Sequence, residues 1–409
     1  MSVAQTFRMS SSFRAEPLRV TLAHAKVLAR QLGISRVTDI TRLDWVGVPV
    51  FASIRPDAQP GSLCVNAGKG IRVNEARAGA YMEAIEYAFA EYNRASLAVF
   101  QVPARDVFLG PTDPQSILAF CPTMNAEIDL DRPIACVTAT DIRTRKKFRV
   151  PAELVFLPFP RELGVRHFGS NSNGLASGNS VLEATVHGLA EVIERDISSF
   201  QAMRDDSVLV SNHSLPATIK TIESTLSSRG MKLYVRHVPN EFKVPFFVAA
   251  VAEAESQDPI YISVGYGCHP WKEIAIARAV CEAMQSRLSF IHGARDDLTD
   301  RYNRFKRRTE KTRTHYAARL LRRLSQNGST VNFETLSDLS GVATDLQSSL
   351  NVLITILRRN GFKHVLRIVY TPRELPLQVV RILVPGLECF TEATARIGLR
   401  LRDYVRDQI

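Results

Sequence analysis

The sequence predicts a mixed α/β (α+β) protein, and three observations carry that expectation. Long segments with apolar residues at helical spacing, 181–200 the clearest, alternate with short runs rich in β-branched and aromatic residues. Strand, strand, helix recurs along the chain, which implies interleaved lobes; a duplicated unit of one helix laid on an antiparallel sheet would produce that order. Turns punctuate these elements, and no low-complexity linker separates them.

The elements follow in order. Residues 1–16 are polar and expected to fray. Leu18, Leu22, Ala25, Leu28, Ala29 and Leu32 outline a helix from Pro17 that Gly33 stops. Short β-like runs follow at 36–40 and 46–54, where Pro49 marks an edge strand or a strand start. Residues 61–74 read as a strand and a glycine turn around Lys69. This GKG lacks the full spacing of a P-loop. Asn74 to Asn93 is a helix with Glu83 and Glu86 on one face beside Met82, Ile85 and Phe89.

Residues 102–150 are irregular and then β-rich, with strands expected at 135–140 and 146–159. Strands at 231–238, 245–253 and 261–270 precede a helix at 273–289, on which Arg278, Glu282 and Gln285 share a narrow arc. An amphipathic helix over 341–360 ends at Gly361, and strands at 364–370 and 377–386 follow it.

The most informative stretch is 168–200, FGSNSNGLASGNSVLEATVHGLAEVIERDISSF. Its glycine, serine and asparagine content implies an exposed, flexible backbone up to about Asn179 and a helix after it. Ser180 with Glu183 three positions later forms a capping box. On a helical wheel His187, Glu191 and Glu194 fall within about 80° of Glu183, beside an apolar stripe of Val186, Leu189, Ala190, Ile193 and Ile197. Three carboxylates on one stripe repel one another, and Arg195 is the one cation inside this helix. A solvated helix face normally mixes signs, so the stripe asks for a cation. The loop before it offers backbone N–H groups at a helix N-terminus, where phosphate binds well. Together these features suggest Mg²⁺ held by carboxylates and a nucleotide held by the metal.

Composition sets the frame for this reading. The 409 residues are 45% hydrophobic, ample for two or three domain-sized cores. No apolar run approaches the roughly 20 residues of a membrane span, and no signal-peptide core opens the chain, so a cytoplasmic location is expected. Cysteines at 64, 121, 136, 268, 281 and 389 show no metal-ligand spacing and are read as reduced and structural. The formal charge of +11 raises nucleic acid or an acidic peptide as partners. Between Arg301 and Arg323 ten Lys/Arg stand against one Glu, with Tyr302, Phe305 and Tyr316 among them. A basic solvated helix or loop is favoured there over a nucleic-acid surface, because no recognised binding motif surrounds it.

The segments GKG (68–70), MEAIEY (82–87), NSNGLASGNSVLEATVHGLAEVIERD (171–196), ARAVCEAMQSRL (277–288) and VVRILVPGLE (379–388) resemble the YcaO family of ATP-dependent enzymes that modify backbone amides. The resemblance runs from about residue 33 to 390, and its middle block is highly specific. It implies a YcaO-type fold around a nucleotide cavity, with an N-terminal segment (1–60) packing on the core, a catalytic domain (61–390) and a C-terminal tail (391–409). ATP and Mg²⁺ are the implied cofactors. Position by position, Glu83, Glu86, Glu191 and Glu194 look like metal ligands. Lys69, Asn179, Glu183, His187, Arg195, Arg278 and Gln285 look like nucleotide contacts. Arg195, Arg278 and Glu282 are the implied catalytic set. His187 stands where Gln is common, Tyr87 where Arg is frequent and Ala176 where some members have Ser.

The implied reaction phosphorylates a peptide amide oxygen once a nucleophile has added to the carbonyl carbon. Azoline-forming members take that nucleophile from a neighbouring Cys, Ser or Thr; thioamide-forming members take sulfide. The ending RIGLRLRDYVRDQI lacks the Pro-rich tail typical of the former, and residues 42–70 resemble members that work with a TfuA-like, sulfur-delivering partner. Thioamide formation in ribosomal peptide biosynthesis is therefore the expectation. The alternatives are an azoline-forming cyclodehydratase and a non-catalytic YcaO-like accessory or scaffold protein. A peptide or protein substrate is expected, no membrane, and nucleic acid is disfavoured; a homodimer is left open.

Overall fold

The structure, a computed structural model, describes residues 6–253, 258–295, 307–326 and 330–407, with Leu298, Asn303 and Gly328. In chain order it runs β1 (Phe7–Arg8), β2 (Phe13–Arg14), α1 (Leu18–Gln31), β3 (Arg36–Asp39), β4 (Val50–Ile54), β5 (Val65–Lys69) and α2 (Val73–Ala90). There follow β6 (Phe100–Pro103), β7 (Pro133–Asp141), β8 (Lys147–Pro151), β9 (Leu175–Gly178), α3 (Val181–Met203), β10 (Val208–Leu209) and α4 (Ala217–Ser227). The chain ends with β11 (Met231–His237), β12 (Phe246–Glu253), β13 (Ile262–Cys268), α5 (Lys272–His292), α6 (Glu310–Ser325), α7 (Leu346–Arg359), β14 (Leu366–Val369), β15 (Gln378–Leu383) and α8 (Leu399–Arg406). Among the described residues every pairing between these strands is antiparallel, and Val210 and Val331 form an isolated parallel bridge outside them.

The chain divides into two interleaved units. The first comprises Met1–Ala58, Leu63–Ala84 and Asp206–Asp345, and the second Gln59–Ser62, Ile85–Asp205 and Leu346–Ile409. Helix α2 therefore begins in unit one and ends in unit two.

Among the described residues unit one holds three sheets, the two-stranded β1-β2 and those ordered β3-β4-β5 and β10-β11-β12-β13. The period-2 pattern of β12 sorts its helices. Phe247, Ala249 and Val251 join a core with Ile219 and Leu226 of α4 and with Ala275, Ala279 and Ala283 of α5. Ala250 and Ala252 meet Ala317 and Leu324 of α6 on the opposite face. Helix α5 lies very close to β13 because that strand has no side chain at two positions. A Cβ on Gly265 would sit 2.2 Å from the Ala283 nitrogen, and one on Gly267 would sit 2.1 Å from the Ala275 oxygen.

The same device corrects the reading of 61–74. The GKG segment is not a turn: Gly68 and Lys69 end β5, opposite Phe51 and Val50 of β4. A Cβ on Gly68 would lie 1.9 Å from the Ala80 nitrogen and 2.2 Å from the Ala76 oxygen, so the glycine admits α2 rather than bending the chain.

Unit two is built on the sheet β6-β7-β14-β15-β9, with β8 paired to β7. Here the expectation of a flexible backbone up to Asn179 is overturned. Residues 175–178 are β9, buried throughout and paired with β15 from Gln378↔Gly178 to Arg381↔Leu175. Residues ahead of it are held by Arg381, only 1% exposed, whose guanidinium donates to the carbonyls of Asn171 (3.0 Å), Asn173 (2.9 Å) and Val155 (3.2 Å). Small residues are there for packing: a Cβ on Gly188 of α3 would come within 2.9 Å of the Gly174 oxygen.

Other boundaries also move. The strand expected over 146–159 ends at Pro151, where a 3-10 turn (Ala152–Leu154) replaces it. The helix expected from Gly341 starts at Leu346. Within the basic segment, 310–325 is helical, while 301, 302 and 304–306, with Tyr302 and Phe305, lie outside the described residues. Among the described residues no helix is long and apolar enough to cross a membrane.

Candidate active site

In unit one the expected site residues gather along two free strand edges. Both β5 and β13 are terminal in their sheets, so alternate backbone groups point away from any neighbouring strand. At Ala67 of β5 the outward N–H donates to Glu83 Oε2 (3.3 Å), and the outward carbonyl accepts from Gln285 Nε2 (2.6 Å). At Tyr266 of β13 the N–H donates to Glu282 Oε1 (3.3 Å), while Glu282 Oε2 is paired with Lys69 Nζ. Helices α2 and α5 thus present Glu83, Glu282 and Gln285 to the edges they cross, and Lys69 joins the two.

Burial shapes the electrostatics. Desolvation raises the Glu83 carboxyl above its ordinary value, opposed by the charges of Arg295 and Lys69 and by the Ala67 hydrogen bond. Glu282 adds like-charge repulsion in the same upward direction. An arriving divalent cation would relieve both. Arg278 sits on α5 at Gly267, and its Nε is buried with no hydrogen-bond partner, a donor that an anionic oxygen would satisfy. Burial and the Arg278 charge hold His269 at about 3, so its ring is neutral and Nδ1 accepts the Trp271 N–H (3.0 Å).

In unit two the capping box is formed and slightly modified. Ser180 Oγ accepts from the Glu183 N–H (3.1 Å), but the Glu183 carboxylate reaches one residue further back, taking the Asn179 N–H (3.1 Å) and its Nδ2 (3.0 Å). Asn179 Oδ1 is left buried without a partner, an oxygen donor suited to a metal or a ribose hydroxyl. Glu86, on the last turns of α2, accepts from Ser177 Oγ of β9 (2.5 Å). Along α3, Glu194 is 3% exposed and Glu191 pairs with Arg195 at 3.9 Å. His187 lies on the same helix, part-buried.

Sequence reasoning missed two of these neighbours. Ser177 was hidden in the segment expected to be flexible. Asn66 is fully buried in β5 with neither amide atom hydrogen-bonded. The signal was a polar residue at an alternate position of an apolar strand directly before GKG.

The donor set fits Mg²⁺ and a nucleotide. Carboxylate and amide oxygens are hard ligands, and Mg²⁺ usually takes one or two carboxylates with phosphate and water completing its shell. Among the described residues no three His, Cys, Asp or Glu side chains gather into a cage of their own. That is compatible with an ion whose other ligands arrive with the nucleotide. Each unit by itself carries parts that a nucleotide-using α+β enzyme needs: unit one has carboxylates and a lysine at its sheet edges, and unit two has a capped helix N-terminus with carboxylates along the same helix.

Comparison with known proteins gives this class its family. Residues 67–388 match the family model described as YcaO cyclodehydratase, ATP- and Mg²⁺-binding, and the chain belongs to the YcaO family. ATP and Mg²⁺ are its cofactors, and it is an ATP-dependent enzyme. An uncharacterized protein of Methanothermobacter thermautotrophicus is 34% identical over 384 residues, 91% of this chain and 94% of its own length. A protein of Rhizobium leguminosarum bv. trifolii, described as lying in the tfuA 3′ region, is 29% identical over 399 residues, 94% of this chain and 91% of its own. The structure of YcaO from Methanopyrus kandleri bound with AMPPCP and Mg²⁺ superposes with a TM-score of 0.74 at 24% identity, covering 96% of this chain and 97% of that one.

Proposed function

We propose that this enzyme activates a backbone amide of a peptide or protein by ATP-dependent O-phosphorylation and replaces the amide oxygen with sulfur, working with a TfuA-like partner that delivers the sulfur. The observation that carries the sulfur reading is the relative from the tfuA 3′ region, aligned over 94% of this chain. In this reading Glu83, Glu86, Glu191 and Glu194 ligate Mg²⁺. Lys69, Asn179, Glu183, His187 and Gln285 position the nucleotide, and Arg195, Arg278 and Glu282 act at the reacting phosphoryl group. Bound Mg²⁺ would neutralise phosphate charge there.

An amide oxygen is a poor leaving group, and a phosphate is a good one. Sulfide adds to the carbonyl carbon, the resulting oxyanion takes the γ-phosphoryl of ATP, and phosphate departs as the C=S bond forms, leaving ADP and inorganic phosphate. The chain's own contribution is positioning and charge, supplied by Arg and Lys donors held by the helix and strand packing described above. No protein nucleophile is needed. Burial lifts the Cys121 thiol well above its ordinary value and the Cys136 and Cys281 thiols to about 12, which argues against thiolate chemistry at these three.

The family description also names cyclodehydratases, so the product is the quantity to measure. Purified protein with ATP, Mg²⁺, sulfide, its partner and the cognate peptide should give a mass gain of about 16 Da, one oxygen exchanged for sulfur. A loss of about 18 Da that requires a Cys, Ser or Thr and no sulfide would establish the azoline route and overturn the thioamide reading while keeping the amide activation.

A further inference from the structure

Unit one carries a groove that the chemistry above does not use. One chamber, of about 380 Å³, is lined by Arg8, Met9, Ser10, Arg72, Glu273 and Ala277. The next, of about 460 Å³, is lined by Val46, Pro49, Ala217, Thr221, Ile222 and Thr225. Ile71 and Thr218 line both, so the two form one elongated depression. Each chamber falls in the size range of ligand sites, roughly 300–1,000 Å³.

The two ends differ in chemistry. At the first, the β1–β2 strap is anchored on α2: the Ser10 N–H donates to Glu75 Oε1 (3.1 Å) and its hydroxyl to Glu75 Oε2. Arg8 is held in turn by stacking on Trp271, its guanidinium carbon 4.1 Å from the ring centroid. Arg72 stands exposed immediately before α2. Two guanidinium groups stand here with two carboxylates, but both oxygens of the buried Glu75 are taken up by Ser10, so a planar anion entering the chamber meets Arg8 and Arg72 with Glu273 as the one lining carboxylate.

The second end is apolar. Thr221 and Thr225 donate their hydroxyls back into α4, to the carbonyls of Ala217 (3.1 Å) and Thr221 (2.9 Å), so their methyl groups remain as contact surface. Across from them Val46 and Val48 are rooted in the core at 6% and 4% exposure, which makes that wall stiff. Among the described residues neither the N–H nor the C=O of Gly47 or Val48 makes a hydrogen bond, and an extended backbone laid along the wall would supply partners.

We infer that this groove docks an extended segment of the polypeptide substrate in which a carboxylate neighbours aliphatic side chains, the carboxylate on Arg8 and Arg72 and the aliphatic residues against α4. The inference rests on the proposed reading of the substrate as a peptide or protein. It can be tested without the chemistry, by fluorescence anisotropy in the absence of ATP and Mg²⁺. The probes are the fluorescein-labelled peptide Gly-Leu-Val-Ile-Asp-Gly with an amidated C-terminus, the same peptide with Asn for Asp, and the Asn peptide with a free C-terminus.

The Asp probe should bind at least tenfold more tightly than the amidated Asn probe. Arg8→Glu and Arg72→Glu should each remove that preference, and Thr221→Trp should weaken both peptides. Recovery of affinity in the free-acid Asn probe would assign the anion to a chain terminus, and its absence to an acidic side chain; either outcome keeps the docking site. Equal binding of the amidated Asp and Asn probes, or no binding at all, would overturn it. So would a loss of MgATP binding in Arg72→Glu, which would assign the groove to the nucleotide. Failure of the wild type to bind MgATP would count against the enzymatic reading alone. Unchanged melting temperatures would confirm that these exposed arginines were removed without unfolding the chain.

Discussion

Lys69 and Glu282 form an ion pair although 213 positions separate them. Lys69 closes the terminal strand β5, and Glu282 on α5 uses its second oxygen to hold the Tyr266 N–H of the terminal strand β13. One lysine and one glutamate therefore tie two free sheet edges into a charged seam. With Glu83 and Gln285 on Ala67, every side chain of this seam is one that the sequence singled out.

Replacing Lys69 by Met should affect stability and function together. The pair is only about one-fifth exposed on each side, 23% and 22%, so removing its cation beside the Glu282 and Glu83 carboxylates should cost about 3 kcal/mol of folding free energy. ATP turnover should fall by more than about tenfold if Lys69 contacts the nucleotide. Turnover assays beside a thermal melt read both quantities, and wild-type turnover would remove Lys69 from the site.

Glu83 supplies a sharper version of that test. Its carboxyl is raised by burial, so the folded state holds the proton more tightly than the unfolded chain does. The stability associated with it is complete below the ordinary carboxyl value of 4.5 and is lost as pH rises through the raised value. Glu83→Gln should thus leave the melting temperature at pH 8 unchanged or higher, while abolishing the stabilisation that MgATP gives the wild type. A lower melting temperature at pH 8 would show that the carboxylate serves the fold rather than the metal.

On α3 the expectation concerns two carboxylates together. The double variant Glu191→Gln/Glu194→Gln should lose Mg²⁺-dependent ATP binding, measured by calorimetry with and without the ion. Retained Mg²⁺ dependence would place the metal elsewhere.

His269 predicts an acid limb of stability. Its folded value of about 3 lies below the ordinary 6.5, so the unfolded chain binds the extra proton first. Stability should decline as pH falls below 6.5, by up to about 1.4 kcal/mol per pH unit from this residue. His269→Phe should flatten that limb in chemical denaturation between pH 4 and 6.5, provided the ring packing against Phe13 is kept. An unchanged slope would assign the acid sensitivity to other groups.

Gly68 is a packing residue, and Gly68→Ala should be severely destabilising, by about 3 kcal/mol or more, because the new methyl meets α2 backbone at 1.9 and 2.2 Å. Urea denaturation measures this. A loss under about 1 kcal/mol would mean that α2 can shift away from β5.

The sequence by itself determined the chemistry-bearing residues and the helices that carry them. Helical periodicity put Glu183, Glu191 and Glu194 on one stripe of α3 and placed Arg278, Glu282 and Gln285 within one arc of α5, because a helix converts spacing directly into direction. The capping box at Ser180 was legible for the same local reason. Tertiary structure decided the rest. The small residues of 175–178 and Gly68 read as flexible loop and turn, yet they lie in strands, because what a missing side chain permits depends on which backbone lies opposite. Nothing local to Ala67 announces that Glu83 and Gln285 will take its N–H and C=O. A free strand edge exists only once the sheets have been assembled, and its partners are chosen by the helices that happen to cross it.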